Sequence, residues 1–201
     1  MRRQRLLAGA VASLLTVTLA ACGNATSVED TQATAQEAAP VEESADASDA
    51  ATNPVDPYVG KTMAEVPMRV ETEDGTAVDL ASIADGKPLV ANFWATWCGY
   101  CMDEMPEFQK LVAEYGGRVS FAFIDQTDGK SETKEGVRAF IIEYGMQDLP
   151  VYYDPVDDSF SVFGVERIPV TIVFDAQGTL VEYRDGEIDP VAIRALLDTL
   201  V

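Results

Sequence analysis

With 201 residues, the chain has room for one ordinary domain plus extra segments, or two small domains at most. Its 34 acidic and 14 basic residues leave a net charge of −20, which argues against gripping nucleic-acid phosphates. The absence of histidine removes Ser-His-Asp triads, Cys-His dyads and His-ligated metals, and three cysteines are too few for a disulfide-stapled scaffold. Any catalysis must therefore run on cysteine, carboxylate, lysine or tyrosine chemistry.

The chain opens with Met1-Arg2-Arg3-Gln4-Arg5, followed by an uncharged apolar run from Leu6 to Ala21. That run is short of the roughly 20 residues a spanning helix needs and fits an export signal over residues 1–21. It ends Leu19-Ala20-Ala21-Cys22, which resembles the bacterial lipobox, where cleavage precedes a cysteine that receives lipid. The expectation is a lipidated Cys22 and an extracytoplasmic protein tethered to a membrane surface. An uncleaved signal anchor, with Cys22 a bystander, is the alternative.

Residues 22–57 form the next segment, and beyond Gly23 they carry eight acidic residues, no basic one and no aromatic. Such a stretch buries too little apolar surface to offset its ordering entropy, so a disordered, charge-extended tether is expected. Residues 58–201 are long enough for one cored domain.

Within that domain, Met68–Thr72 and Thr76–Leu80 read as a hairpin around Glu73-Asp74-Gly75. Pro88–Ala95 is an apolar run typical of a buried central strand. A helix follows to Tyr115, stopped by Gly116-Gly117. Val119–Asp125 reads as a second buried strand, and Thr133–Tyr144 as an amphipathic helix ending at Gly145. Val151–Tyr153, Val170–Phe174 and Thr179–Arg184 complete the strands, with Asp175-Ala176-Gln177-Gly178 turning between the last two. Asp189 opens a final amphipathic helix carrying Ile193, Leu196, Leu197 and Leu200. Strand and helix alternating in this way predict an α/β sheet layered with helices.

Reactivity concentrates in Phe93-Trp94-Ala95-Thr96-Trp97-Cys98-Gly99-Tyr100-Cys101, at the junction of the buried strand and the next helix. Unpaired N–H groups and the positive dipole end at a helix N-terminus stabilise a thiolate. Cys98, at that end with its sulfur exposed, is the expected nucleophile; Cys101, one turn on, can attack a mixed disulfide formed there. The same spacing also fits half of a zinc site or a purely structural disulfide. The first would need ligands from elsewhere, since no second cysteine pair and no histidine are present.

At these residues the sequence resembles the thioredoxin superfamily, and within it the exported TlpA/ResA-like thiol–disulfide oxidoreductases. The resemblance covers about residues 58–201. It rests on Asn92-Phe93-Trp94-Ala95-Thr96-Trp97-Cys98 leading to Cys101, on Glu104-Met105-Pro106, and on Arg167-Ile168-Pro169-Val170-Thr171. It implies a thioredoxin-like fold, a central mixed β-sheet flanked by helices with an N-terminal β-hairpin extension. It also implies a Cys98/Cys101 dithiol–disulfide cycle that reduces disulfides in exported proteins, apocytochrome c among them, fed by a membrane electron donor.

Further roles follow from the resemblance, each beside a plainer one. Pro169 matches a cis-proline facing the redox pair, which would turn the Ile168 backbone towards a bound cysteine segment; a trans-proline starting a strand is the alternative. Trp97 would shield the thiolate and offer an apolar contact to substrate, or simply pack the strand end. Glu104, three residues after Cys101, would be a partly buried acid moving the Cys101 proton, or an ordinary surface glutamate. Cytoplasmic thioredoxins carry a buried aspartate where this chain has Asn92, which cannot take a proton. The Gly99-Tyr100 dipeptide resembles that of some disulfide isomerases, so oxidation or isomerisation stands as an alternative to reduction, as does a non-catalytic binding module on the same scaffold. A Pro-x-x-x-Thr-x-x-Cys peroxidase loop is not matched. No metal and no cofactor are expected, and a monomer is the simplest state for a tethered single domain.

Overall fold

A computed structural model of the protein describes residues 57–201. The signal segment, Cys22 and the acidic tether lie outside the described residues. The elements are β1 (Arg69–Glu71), β2 (Ala77–Asp79), α1 (Leu80–Ala84), β3 (Leu89–Trp94), α2 (Gly99–Tyr115) and β4 (Ser120–Asp125). They continue as α3 (Lys134–Glu143), β5 (Val151–Tyr153), α4 (Asp158–Phe163), β6 (Val170–Phe174), β7 (Leu180–Asp185) and α5 (Pro190–Leu200).

The strands form one mixed sheet in the order β2-β1-β5-β4-β3-β6-β7. β4 runs parallel to both β3 and β5, whereas β6 is antiparallel to β3 and β7, and β1 is antiparallel to β2 and β5. This is the thioredoxin-like α/β architecture, and the early hairpin extends the sheet at one edge.

Every residue of β3 is buried because both faces of the strand are covered. Its two-residue period then sorts side chains into two cores. Val90 and Trp94 pack with α2, α3 and α5, whose Met105, Phe108, Leu111, Val137, Ile193 and Leu197 fill that layer. Leu89, Ala91 and Phe93 face the other way, towards Leu80 and Ala84 of α1 and Phe163 of α4. Asn92 belongs to the first face, so this one polar residue of the strand points at α2. Pro106 lies inside α2, where it removes one backbone donor.

Two short helices depart from the sequence expectation. Leu80 does not end the hairpin strand but opens α1, because the Asp79 side chain caps it by accepting from the Ser82 N–H at 2.7 Å. The six residues of α4 are too few to show helical periodicity, and the Asp154 side chain accepts from the Asp158 N–H at its start. α5 begins as read, with the Asp189 carboxylate accepting from the N–H groups of Val191 and Ala192 and Pro190 in the first turn. Asp189→Ala is expected to lower stability by about 1 kcal/mol, measured as a shift in the urea midpoint at unchanged slope.

Candidate active site

The sheet delivers the chain to the redox pair at the end of its central strand. β3 ends at Trp94, and after Ala95-Thr96-Trp97 the backbone turns at Cys98, which caps α2 in extended conformation (φ −87°, ψ 102°). Cys98 and Cys101 are joined as a disulfide, with Cα atoms 5.3 Å apart. The Cys101 N–H donates to Cys98 Sγ at 3.2 Å. That contact uses one of the orphan donors of the helix start and would favour a negative sulfur once the bond opens.

Cys98 retains 5% exposure and Cys101 none, so Cys98, the nucleophile expected from the sequence, is more covered than that reading had it. Part of the cover comes from the loop before β6. The Ile168–Pro169 peptide bond is cis, and the Ile168 carbonyl oxygen lies 3.7 Å from Cys98 Sγ. The neighbouring groove is lined by Trp97, Gln126, Val165, Glu166, Arg167 and Ile168. Trp97 and Tyr100 are exposed on either side of Cys98, whereas Trp94 is fully buried against Phe140.

Glu104 is buried, not a surface residue. It stands one turn beyond Cys101 on α2 and faces Asn92 of β3, whose amide donates to Glu104 Oε1 at 2.8 Å and to Thr171 Oγ1 at 3.1 Å. Thr171 is the β6 residue directly opposite Asn92 in the sheet register. The Ile188 N–H, just ahead of α5, donates to Glu104 Oε2 at 3.0 Å. One carboxyl thus ties together β3, β6, α2 and the start of α5. Burial raises its pKa to about 7 despite the two hydrogen bonds, with the nearby Glu187 charge adding to the rise. A carboxyl poised near neutrality can both take and return a proton.

A second polar cluster lies under the loop itself. Glu132, just before α3, accepts the Thr96 N–H at 2.7 Å on one oxygen and the Thr96 hydroxyl at 2.8 Å on the other. Asp125 ends β4 opposite Trp94 and is fully buried.

A family model described as redoxin matches residues 58–196. The chain belongs to the redoxin family. Among curated relatives, the thiol–disulfide oxidoreductase ResA of Bacillus anthracis is 32% identical over 125 residues, 61% of this chain and 69% of ResA. The thioredoxin-like protein YneN of Bacillus subtilis is 30% identical over 115 residues, 57% of this chain and 66% of YneN. Among solved structures, the pneumococcal exposed lipoprotein thioredoxin of Streptococcus pneumoniae superposes with a TM-score of 0.58 at 24% identity. That match covers 67% of this chain and 99% of the pneumococcal chain, and shows a shared fold. With a closed Cys-x-x-Cys pair and relatives of this kind, this redoxin is a thiol–disulfide oxidoreductase.

The redoxin fold brings Cys98, Cys101, Trp97, Ile168 and Pro169 to one end of the sheet and sets Glu104 behind the pair. Sequence reasoning missed Thr171 as a partner of Asn92 and Ile188 as a partner of Glu104, and Asp125 and Glu132 altogether. A carboxylate closing an otherwise apolar strand, as Asp125 does, was the one available signal.

Proposed function

We propose that this redoxin is an extracytoplasmic reductase of disulfides in exported proteins, lipid-anchored through Cys22 and carried on the acidic tether of residues 22–57. The observation that carries the reading is the redox pair capping α2, with the Cys101 N–H on Cys98 Sγ and a buried Glu104 one turn behind.

In the proposed cycle, the Cys98 thiolate attacks one sulfur of a substrate disulfide, forming a mixed disulfide and releasing one substrate thiolate. Cys101 gives its proton to Glu104, and its thiolate attacks Cys98 Sγ. The second substrate thiolate leaves, and the Cys98–Cys101 disulfide seen here results. Two electrons have passed to the substrate, and a membrane dithiol donor must return them for another turn. Trp97 and Ile168 would hold the substrate segment, the latter through its backbone beside Pro169. The resemblance makes apocytochrome c cysteines one substrate class within this reading. Export is supported by the basic-then-apolar start ending at Cys22, and the pneumococcal protein of the same fold is itself an exposed lipoprotein.

Oxidation or isomerisation by the same site is the second reading, favoured by the Gly99-Tyr100 dipeptide between the cysteines, with Tyr100 exposed. The two part on the reduction potential of the Cys98–Cys101 couple, measured on the full chain in detergent by equilibration with a thiol buffer. Reduction predicts a value near about −270 mV or lower. A value between about −120 and −180 mV would replace it with oxidation or isomerisation.

A further inference from the structure

Beneath the cysteine loop lie two buried carboxyl groups for which the exchange cycle has no use. Glu132 is 3% exposed, and its two oxygens accept from the two donors of Thr96. Its own N–H is pinned by Asp128 Oδ1 at 2.9 Å. Asp125 is wholly buried and faces the Glu132 carboxyl. Asp125 Oδ1 accepts the Thr127 hydroxyl at 2.8 Å, while Oδ2 has no hydrogen-bond partner among the described residues.

Among the described residues, no lysine or arginine forms an ion pair with either carboxyl. Asp128 and Glu132 approach from the loop after β4, Tyr153 from β5 and Asp154 from just beyond it. On α3, Glu135 and Arg138 act on Tyr153, Lys134 lies over its ring, and Lys134 and Arg138 are engaged by Glu71 and Glu73. Two carboxylates buried face to face in such a place resist ionising together at neutral pH. Glu132 is the one that accepts two donors, so the proton is placed on Asp125. A proton on Asp125 would turn its orphaned oxygen into a donor towards Glu132.

We infer that Asp125 is kept as a neutral carboxylic acid sharing its proton with Glu132, and that this pair positions the cysteine loop by fixing Thr96. Trp97 and Cys98 follow Thr96 directly, so the clamp sets the approach of the reactive sulfur and of the groove wall beside it. Burial pushes the Asp125 carboxyl up to about 8, with Glu132 adding to the rise against the Thr127 hydrogen bond. Above that pH two like charges face each other, Glu132 is pushed from Thr96 and the loop is released. The clamp is a device for neutral and acid conditions. It rests on Cys98 being the attacking thiol but not on the direction of electron flow.

The test uses the full chain in detergent carrying Cys22→Ser, so that the redox pair holds the only thiols. The rate at which the reduced protein attacks a chromogenic aromatic disulfide is followed from about pH 6 to about pH 10. The unmodified loop is expected to show an inflection near pH 8, apart from those of the thiol and of Glu104. Asp125→Asn, whose amide donates to Glu132 but cannot ionise, is expected to lose that inflection. Glu132→Leu removes both acceptors from Thr96 and is expected to react at least about tenfold more slowly at neutral pH. An Asp125→Asn profile that keeps the inflection, or Glu132→Leu reacting at the parent rate, would overturn the inference.

Should either variant fail to fold, the carbon NMR shift of the Asp125 side chain in the parent chain decides. A neutral-acid shift at neutral pH supports the inference and a carboxylate shift overturns it. If Cys98 proved unreactive at every pH, the exchange cycle itself would fail, and the Asp125 signal would still report on the shared proton.

Discussion

Cys98→Ser is expected to abolish exchange, lowering the rate of substrate reduction by at least about a thousandfold, because a serine hydroxyl is not a nucleophile towards sulfur at neutral pH. The loss is specific to one end of the pair. Cys98 caps α2 and faces the Ile168 carbonyl and the groove, whereas Cys101 is wholly buried and cannot meet a protein substrate first. Cys101→Ser should therefore leave the first attack intact and halt the cycle at the mixed disulfide. The full chain carrying Cys22→Ser and Cys101→Ser, mixed with a disulfide-containing protein, is expected to gain the mass of one substrate chain on Cys98. Substrate captured on Cys101 in the Cys98→Ser protein would reverse the assignment of attacking and resolving thiols.

The second large effect belongs to Glu104. Its carboxyl titrates near 4.5 when the chain is unfolded and near 7 in the fold, so the native state binds the proton more tightly. Below about pH 4.5 the group is neutral in both states and costs nothing. As pH rises towards 7 the unfolded chain ionises first, and the fold loses about 3 kcal/mol by the time both states are charged. Asp74, Asp79 and Asp128, whose pKa values are lowered by hydrogen bonds to Thr72, Ser82 and Ser131, act in the opposite direction and at lower pH.

Comparison with Glu104→Gln isolates the term. Urea denaturation between about pH 4.5 and about pH 8 should show the variant gaining on the parent as pH rises. The network can accept the substitution, because Asn92 Oδ1 is buried with no hydrogen-bond partner among the described residues, and turning that amide presents an acceptor to the new glutamine. Catalysis should move the other way: the step in which Cys101 resolves the mixed disulfide slows by about a hundredfold, while the first attack is unaffected. Parallel stability curves for the two proteins would deny the buried acid its shifted titration. An unslowed resolution step would remove Glu104 from the proton path.

How much of this was legible in the chain depends on distance along it. The redox pair could be read because nine consecutive residues carry the strand end, the aromatic lead-in and the helix start. Pro169 was legible from its position only as the start of an apolar strand; its cis bond was an expectation of the family resemblance alone. The network around Glu104 was not legible, since Asn92 and Ile188 meet it, and Thr171 meets Asn92, across separations that only the folded chain closes. The Thr96–Glu132 clamp spans 36 residues and joins a loop to a helix start, with no periodicity to announce it. α1 and α4 escaped for a different reason: each is too short for a repeat to show, and an aspartate side chain accepts a backbone N–H at the start of each.

The two tryptophans of the chain stand within four residues of Cys98, one sealed in the core and the other 63% exposed. A disulfide quenches the emission of an indole close by, and opening it relieves the quenching. The protein thus carries its own optical gauge of oxidation state. A water-borne quencher reaches Trp97 and spares Trp94, so the two signals can be separated without attaching a label. Each half of the cycle can then be followed in real time through light emitted beside the reacting sulfurs.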